Sequence, residues 1–175
     1  MSTLKNPVGP HDHVEGPDNA PVTLVEYGDY QCPYCGQAYP IVKEIQKAFG
    51  KKLRFVFRNF PLAEMHPHAE SAAETAEFAA ANGKFWQMHD ALYENQEQLG
   101  SAFYLELAQS LGLSGPALRT ALEDGTYRER VRSDFMSGVK SGVNGTPSFF
   151  INGRRHDDAF DFETLSAAIN AALAG

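Results

Sequence analysis

Two cysteines, the only ones in the chain, occur in the segment Cys32-Pro33-Tyr34-Cys35. A pair this close closes only a tiny loop, so it cannot hold distant segments together as a structural disulfide. Paired thiols at this spacing are typical of redox exchange or of metal binding. In redox exchange, one cysteine attacks as a thiolate and the other resolves the mixed disulfide.

The residues that follow predict which cysteine attacks. Pro33 fits the first turn of a helix that we predict to run to Phe49. Cys32 would then lie at the helix N terminus, where unpaired N–H groups and the macrodipole favour an anion. The dipole supplies at most about 2 kcal/mol, so hydrogen bonds to the sulfur, including those from the Tyr34 and Cys35 amides, must add to it. We predict that Cys32 is the nucleophile and that the more buried Cys35 is the resolving thiol, while Pro33 and Tyr34 tune the redox chemistry.

Zinc binding is the alternative use of such a pair. A structural zinc site needs four ligands, usually from a second pair of Cys or His at matching spacing. His66 and His68 are the best second pair, but two positions is shorter than the usual spacing. The sequence therefore predicts no metal site, and a zinc-binding module is kept as an alternative.

Glu26 is a candidate proton relay. It lies six residues before Cys32, in a predicted strand, on the same face as Val22 and Leu24. A carboxyl group facing the core would have a raised pKa and could pass a proton to or from Cys35. The alternative is a glutamate at a strand end that leans into water.

The elements around these residues form a recognisable order. A strand at 22–27, the helix after Cys32 and a strand at 53–58 predict a parallel βαβ unit. A strand at 146–151, a two-residue turn at Asn152-Gly153, a returning strand at 154–156 and a closing amphipathic helix that begins near Phe162 complete a ββα unit.

The segment between these two units has helical periodicity. Alanines repeat at helical spacing from His68 to Asn82. Glu70, Glu74 and Glu77 share a face of this helix, and we expect that face to be solvated. Further helices are predicted at 85–95, 102–111, 116–123 and 127–140.

Composition narrows the possible functions. The chain has 175 residues, of which 43% are hydrophobic and 21% charged, as in ordinary soluble domains. Its formal net charge of −7 and its lack of a basic run argue against binding to nucleic acid. No apolar run reaches the length that a membrane span requires, so we expect no membrane insertion.

The N-terminal residues carry the remaining expectations. Residues 1–17, rich in Pro, Gly, Asp and His, predict an extended, loosely ordered arm. They lack the basic start and apolar stretch of a secretory signal. As written, the chain is expected in the cytoplasm; if a signal had been trimmed away, it would be exported to the periplasm.

Several features together resemble the DsbA-like thiol–disulfide oxidoreductases of the thioredoxin superfamily. They are the segment from Ala20 to Tyr27 that leads into Cys-Pro-Tyr-Cys, the order βαβ, helical block, ββα, and Gly145-Thr146-Pro147 before a strand. The resemblance implies an α/β thioredoxin fold with a mixed central sheet and an inserted helical domain. Its predicted boundaries are 18–60 and 143–174 for the thioredoxin fold, 62–140 for the insertion and 1–17 for the arm.

The resemblance also implies residue roles. Pro147 is expected to be cis and to pack beside the cysteines, and Thr146 to offer its main chain to a bound peptide. The family carries an acidic residue at the position of Glu26. No organic cofactor is implied, because the electrons reside on Cys32 and Cys35. The partners implied are protein or peptide thiols and disulfides, together with an unidentified partner that recycles the protein.

Two further functions are alternatives. Pro33-Tyr34 is the dipeptide of glutaredoxins, which favours a glutathione-dependent reductase; the related kappa-class transferases usually carry serine as nucleophile, so Cys35 argues against them. The well-known periplasmic oxidants carry proline and histidine between the cysteines, so we expect a less oxidising potential here. The other alternative is a non-catalytic binding or sensor domain, since similar domains occur fused to sodium/proton antiporters.

Overall fold

The computed structural model describes residues 2–175, and its strands form one mixed sheet in the order β1-β3-β2-β4-β5. Strands β2 and β3 are parallel, whereas the other neighbouring pairs are antiparallel. The central strand β2 is therefore covered at both edges. The strands are β1 (His13–Glu15), β2 (Val22–Gly28), β3 (Leu53–Asn59), β4 (Ser148–Ile151) and β5 (Arg154–His156).

The helices follow the predicted order. One connects β2 to β3, five lie between β3 and β4, and one closes the described part of the chain. The predicted βαβ, helical block, ββα order and the α/β fold class are confirmed. The helices are α1 (Pro33–Phe49), α2 (Ala69–Ala81), α3 (Phe85–Glu94), α4 (Ser101–Ser110), α5 (Gly115–Asp124), α6 (Arg128–Lys140) and α7 (Phe162–Ala174).

Alternation along β2 sends its side chains to two hydrophobic clusters. Val22 and Leu24 pack with residues of α1, α7 and the helical block. Val25 and Tyr27 pack in a second cluster, against Phe135 of α6 and apolar side chains from the N-terminal residues. Glu26 shares the face of Val22 and Leu24, so it points towards the helix that carries the cysteines.

The turn between β4 and β5 has the predicted form. Asn152 has φ 48° and Gly153 has φ 84°, the positive values that a two-residue hairpin turn with this sequence adopts. The hairpin prediction is confirmed. The proposed division into domains at 62–140 stays a prediction, since the larger hydrophobic cluster contains residues from both parts.

The loose order expected for the N-terminal arm, residues 1–17, is wrong for its last part. His13–Glu15 form β1, which pairs antiparallel with β3. Asp12 is bound to the buried Arg58 of β3, with Nε and Oδ1 2.8 Å apart. This ion pair fixes a segment whose composition alone predicts a loop.

The solvated face expected for Glu70, Glu74 and Glu77 is also wrong for two of the three residues. Glu74 and Glu77 are 7% and 4% exposed, because α2 is packed against α3, α5 and α6. Glu77 is buried at acceptable cost because its Oε2 lies 2.8 Å from His13 Nε2 and accepts a hydrogen bond from Asn59 Nδ2. A partner from β1 and another from β3 thus replace the water.

Candidate active site

The two cysteines lie where β2 leads into α1. Cys32 is the N-cap residue of α1, with an extended backbone (φ −66°, ψ 124°), and Pro33 occupies the first turn. Both cysteines are free thiols in this structure. Cys32 is 3% exposed and Cys35 is 0% exposed, while Pro33 and Tyr34 between them are exposed. Cys32 therefore lies just beneath the surface and Cys35 is fully enclosed.

The surroundings of Cys32 favour its thiolate. A hydrogen bond from Cys35 has the largest effect, and burial opposes it; the side chain of Thr146 and the backbone N–H groups of Cys35 and Tyr34 also stabilise the anion. Together they lower the pKa of the Cys32 thiol to about 5. The amide contribution is the one that the helix position predicts.

Cys35 has the opposite environment. Burial raises the pKa of its thiol well above the ordinary value, and the hydrogen bond to Cys32 and the charge of Glu26 act in the same direction. Two like groups one helical turn apart thus have widely separated pKa values, so their acid–base roles differ. This arrangement suits an attacking Cys32 and a protonated Cys35.

Glu26 lies in the core rather than in water. It is 3% exposed on the central strand β2, and its Oε2 has no hydrogen-bond partner among the described residues. Burial raises the pKa of its carboxyl group to about 8, and the nearby charge of Cys32 contributes. The hydroxyl group of Tyr93 is likewise buried without a partner. The position of Glu26 matches the expected core-facing carboxyl group; its role as a proton relay remains a prediction.

Thr146 and Pro147 form the other wall of the site. Their peptide bond is cis, the geometry that the resemblance implies. The sulfur of Cys32 lies 3.6 Å from the carbonyl oxygen of Thr146, so the loop before β4 is in contact with the start of α1. The Thr146 hydroxyl group has no partner among the described residues, which leaves it available to the Cys32 thiolate. Cys32, Cys35, Glu26, Thr146 and Pro147 are thus brought together, with Pro33 and Tyr34 at the surface.

Asp29 organises the loop between β2 and α1, and sequence reasoning missed it. Its buried carboxylate accepts hydrogen bonds from the backbone N–H groups of Gln31 and Leu62, at 2.8 and 3.0 Å. His66 Nδ1 lies 2.7 Å from its Oδ2, so this histidine, considered above as a zinc ligand, is held by Asp29. Within residues 2–175, no three His, Cys, Asp or Glu side chains are arranged to hold a metal ion.

Tyr30 and Gln96 also contribute to the site without a sequence signal. The Tyr30 hydroxyl group lies 2.9 Å from Nδ1 of the buried His89, whose imidazolium form is disfavoured because burial lowers its pKa well below the ordinary value. Gln96 bonds to the backbone on both sides of Gln31. These contacts join residues about sixty positions apart, and no local spacing predicts them.

Comparison with known proteins agrees with this geometry. A family model described as thioredoxin matches residues 9–171. BdbD from Bacillus subtilis, in its oxidised form, superimposes with a TM-score of 0.85 and 28% identity, over 93% of this chain and 92% of that one. A thioredoxin-like oxidoreductase from Silicibacter pomeroyi gives 0.83 and 28%, over 95% of each chain. The alpha-DsbA1 protein of Wolbachia pipientis, 18% identical with a TM-score of 0.83 over 98% of this chain and 94% of that one, shows the shared fold.

The relatives found by sequence similarity are named as antiporters, not as oxidoreductases. The chain is 48% identical over 173 residues to the Na(+)/H(+) antiporter NhaA 1 of Salinispora arenicola, covering 98% of this chain and 26% of that protein. It is 38% identical over 172 residues to NhaA 1 of a Mycobacterium species (strain KMS), covering 97% of this chain and 28% of the relative. The chain thus spans about a quarter of the length of these relatives. Among the residues described, no helix is both long and apolar enough to cross a membrane.

Proposed function

The chain belongs to the thioredoxin family, and we propose that it is a thiol–disulfide oxidoreductase that exchanges disulfides with protein substrates through Cys32 and Cys35. The observation that carries this proposal is the state of Cys32. Its sulfur lies at the start of α1 and against the loop of cis-Pro147, with a thiol pKa lowered to about 5. The likeness to a solved thioredoxin-like oxidoreductase supports it.

In the oxidising direction, the Cys32–Cys35 disulfide accepts two electrons. A substrate thiolate attacks the Cys32 sulfur, the Cys32–Cys35 bond breaks, and the Cys35 sulfur leaves as a thiolate that takes up a proton. A second substrate thiolate attacks the substrate sulfur of the mixed disulfide. Cys32 then leaves as a thiolate, and the substrate retains the new disulfide. The stabilised Cys32 anion makes this sulfur the better leaving group in that step.

In the reducing direction, the Cys32 thiolate attacks a substrate disulfide and one substrate sulfur leaves. Cys35, which is protonated at rest, must lose its proton before it can attack the mixed disulfide. In this proposal Glu26, in its ionised form, takes up that proton, and it returns the proton in the oxidising direction. The electrons stay on sulfur throughout, so the reaction requires no organic cofactor.

Substrates reach the site through its exposed edge. Tyr34 is 61% exposed, whereas the neighbouring Cys32 is shielded. A substrate can therefore lie against the surface around Tyr34 while the sulfur of its cysteine approaches Cys32. In this proposal the main chain of Thr146 pairs with an extended peptide in a strand-like manner, as the family resemblance implies. These features favour a protein or peptide substrate.

Single-cysteine variants test the proposal. A peptide with one pair of cysteines is incubated with the wild-type protein, Cys32→Ser and Cys35→Ser. The peptide is supplied either as the dithiol with a small-molecule disulfide as oxidant, or as the disulfide with a small-molecule dithiol as reductant. We expect catalysed exchange by the wild type and none by Cys32→Ser. In reduced Cys35→Ser the Cys32 thiolate should attack the disulfide form of the peptide and remain trapped as a mixed disulfide. A wild-type protein that accelerates exchange in neither direction would refute the proposal.

The same variants separate this function from the glutathione-dependent alternative. A glutaredoxin-like reductase can work through one cysteine and a glutathione adduct. Saturable glutathione turnover that survives in Cys35→Ser would favour that alternative. Turnover that requires both cysteines and is independent of glutathione concentration would favour the dithiol mechanism.

A second candidate function follows from the sequence relatives, which are antiporters about four times as long as this chain. In that case the dithiol would serve as a redox-responsive module whose oxidation state is sensed by an attached or neighbouring transporter. Such a module would equilibrate with thiol buffers but would not turn over protein substrates. Catalytic exchange with the cysteine peptide therefore distinguishes the two candidates.

A further inference from the structure

Gln96 connects the helical block to the active-site loop. It begins the 3₁₀ turn Gln96–Gln98 that follows α3. Its side-chain Nε2 donates hydrogen bonds to the carbonyl oxygens of Tyr30 and Cys32, both at 2.9 Å. One amide group therefore holds the backbone on both sides of Gln31, immediately before α1.

Gly36, in the first turns of α1, provides the space for this contact. A Cβ atom at Gly36 would lie 2.1 Å from Gln96 Oε1 and 2.8 Å from Gln96 Cδ. Any larger residue at position 36 would therefore displace the glutamine side chain. The φ of Gly36 is not in the left-handed region, so its glycine is explained by this close approach.

The Cys32 carbonyl group accepts two hydrogen bonds. It accepts the first hydrogen bond of α1, from Gly36 N at 3.0 Å, and the bond from Gln96 uses its second lone pair. With both lone pairs engaged, the carbonyl group has a fixed direction. The N–H groups of Tyr34 and Cys35, which help to lower the pKa of the Cys32 thiol, follow this carbonyl group directly in the chain, so its fixed direction also fixes theirs.

We propose that Gln96 is a positioning residue for the dithiol, which holds the Tyr30 and Cys32 carbonyl groups so that the amides at the start of α1 remain directed at the Cys32 sulfur. This inference rests on the proposed function, because it assigns the helical block a role in activating the nucleophile. Gln96 touches no reacting atom, so its effect must act through the backbone of Cys32. Removing its hydrogen bonds and displacing its side chain should therefore have the same effect, namely a change in the direction of the amides at the start of α1.

Two variants test this role from opposite sides of the contact. Gln96→Met keeps the length of the side chain but removes both donors. Gly36→Ala leaves the glutamine chemically intact but displaces it, and it also introduces a better helix-forming residue. Gln98→Met is the matched control. Gln98 lies in the same 3₁₀ turn, but its side chain donates only an exposed hydrogen bond to Asn95 Oδ1 and makes no hydrogen bond to the loop before α1.

The measurement is the pH titration of the Cys32 thiolate in the reduced protein, followed by its ultraviolet absorbance, with an unfolding curve for each variant. In Gln96→Met and Gly36→Ala we expect the Cys32 pKa to rise from about 5 towards the value of an ordinary cysteine, about 8.5. Gln98→Met should titrate as the wild type does. In Gly36→Ala the gain in helix propensity offsets part of the lost hydrogen bonds. The unfolding curve should show that the protein is folded throughout the titration, so that the altered pKa is not a consequence of unfolding.

Wild-type titration of Cys32 in both Gln96→Met and Gly36→Ala would overturn the inference, even if Gln96→Met unfolded more easily. That result would assign Gln96 a purely structural role and would leave the proposed function intact. Failure of the proposed function has a different signature: a wild-type protein with an acidic Cys32 that catalyses no exchange.

Discussion

At the scale of single residues, the site reverses the usual order of two acids. A glutamate ordinarily ionises well before a cysteine, but here the pKa of Cys32 is about 5 and that of Glu26 is about 8. Near neutral pH the nucleophilic sulfur is therefore ionised while the buried carboxyl group retains its proton. That proton is available to Cys35 when its sulfur leaves as a thiolate.

The buried carboxyl group has a consequence for stability. Between pH about 4.5 and 8 the unfolded chain has lost the Glu26 proton and the folded protein retains it, so folding becomes less favourable as pH rises. The contribution of Glu26 to the free energy of unfolding is fully present below its pKa in the unfolded chain. This contribution is lost by the time the pH passes its pKa in the folded protein. Glu26→Gln lacks this loss, so its advantage in free energy of unfolding over the wild type should grow to a few kcal/mol across this range.

Denaturant unfolding of the reduced proteins at a series of pH values measures this difference. Parallel curves for the wild type and Glu26→Gln would show that Glu26 ionises normally. Comparison of the two proteins at each pH cancels the opposite contribution of Cys32, whose lowered pKa makes the folded state more favourable as pH rises.

The sequence predicts some of these residues and not others, for a physical reason. Cys32, Cys35 and Glu26 are placed by local rules, namely a helix start and the alternation of a strand. Asp29 with His66, and Gln96 with Cys32, are contacts between segments far apart in the chain. Their formation depends on how the helical block packs against the sheet, which no local spacing encodes.

At the scale of elements, the end of β2 is packed too tightly for any side chain. A Cβ atom at Gly28 would lie 2.5 Å from Phe57 Cε1 and 2.8 Å from the Tyr93 hydroxyl oxygen. Gly28→Ala should therefore lower the free energy of unfolding by about 1–3 kcal/mol. Gly145→Ala, where a Cβ atom meets nothing within 4 Å, is the control for chemical denaturation. Equal stability of the two variants would contradict the packing described for β2.

The N-terminal segment offers a second prediction at this scale. Burial alone would raise the pKa of Asp12, but the hydrogen bond from Arg58 and the amide of Gly9 reverse this, so its pKa is lowered. The ion pair thus stabilises the fold above the unfolded pKa of Asp12, and this contribution is lost as the pH falls. Asp12→Asn leaves the buried Arg58 charge without its partner and should cost about 3 kcal/mol at neutral pH.

Hydrogen exchange measures the local part of this effect. The amides of β1 that pair with β3 should lose protection in Asp12→Asn, whereas those shared by β2 and β4 should retain it. Unchanged exchange in β1 would contradict the idea that the Asp12–Arg58 pair fixes this strand.

The three residues of β1 could not be predicted as a strand, because they are too few for a periodic signal and adjoin Pro and Gly.

At the scale of the whole molecule, the site predicts a redox potential. A Cys32 pKa of about 5 is about two units below that of thioredoxin, which stabilises the reduced form by about 2–3 kcal/mol near neutral pH. For a two-electron couple this raises the reduction potential by about 50 mV, from about −270 mV to about −220 mV. The predicted value lies well below the roughly −120 mV of DsbA. The less oxidising potential expected from Pro33-Tyr34 is a separate prediction in the same direction.

Equilibration with glutathione buffers of known ratio measures this potential. A value at or below that of thioredoxin would contradict the link between thiolate stabilisation and redox poise.

The overall order of elements was predictable because it rests on strong local patterns in the strands and helices. The buried positions of Glu74 and Glu77 were not, because they depend on three helices and β1 meeting around α2.

The proposed dithiol mechanism depends above all on an ionised Cys32. Its most direct test is the alkylation rate of the reduced protein as a function of pH, with the modified residue identified by mass spectrometry. We expect modification at Cys32 and not at Cys35, with the rate half-maximal near pH 5. A half-maximal rate near the pH of an ordinary cysteine, about 8.5, or equal modification of both cysteines, would contradict the account.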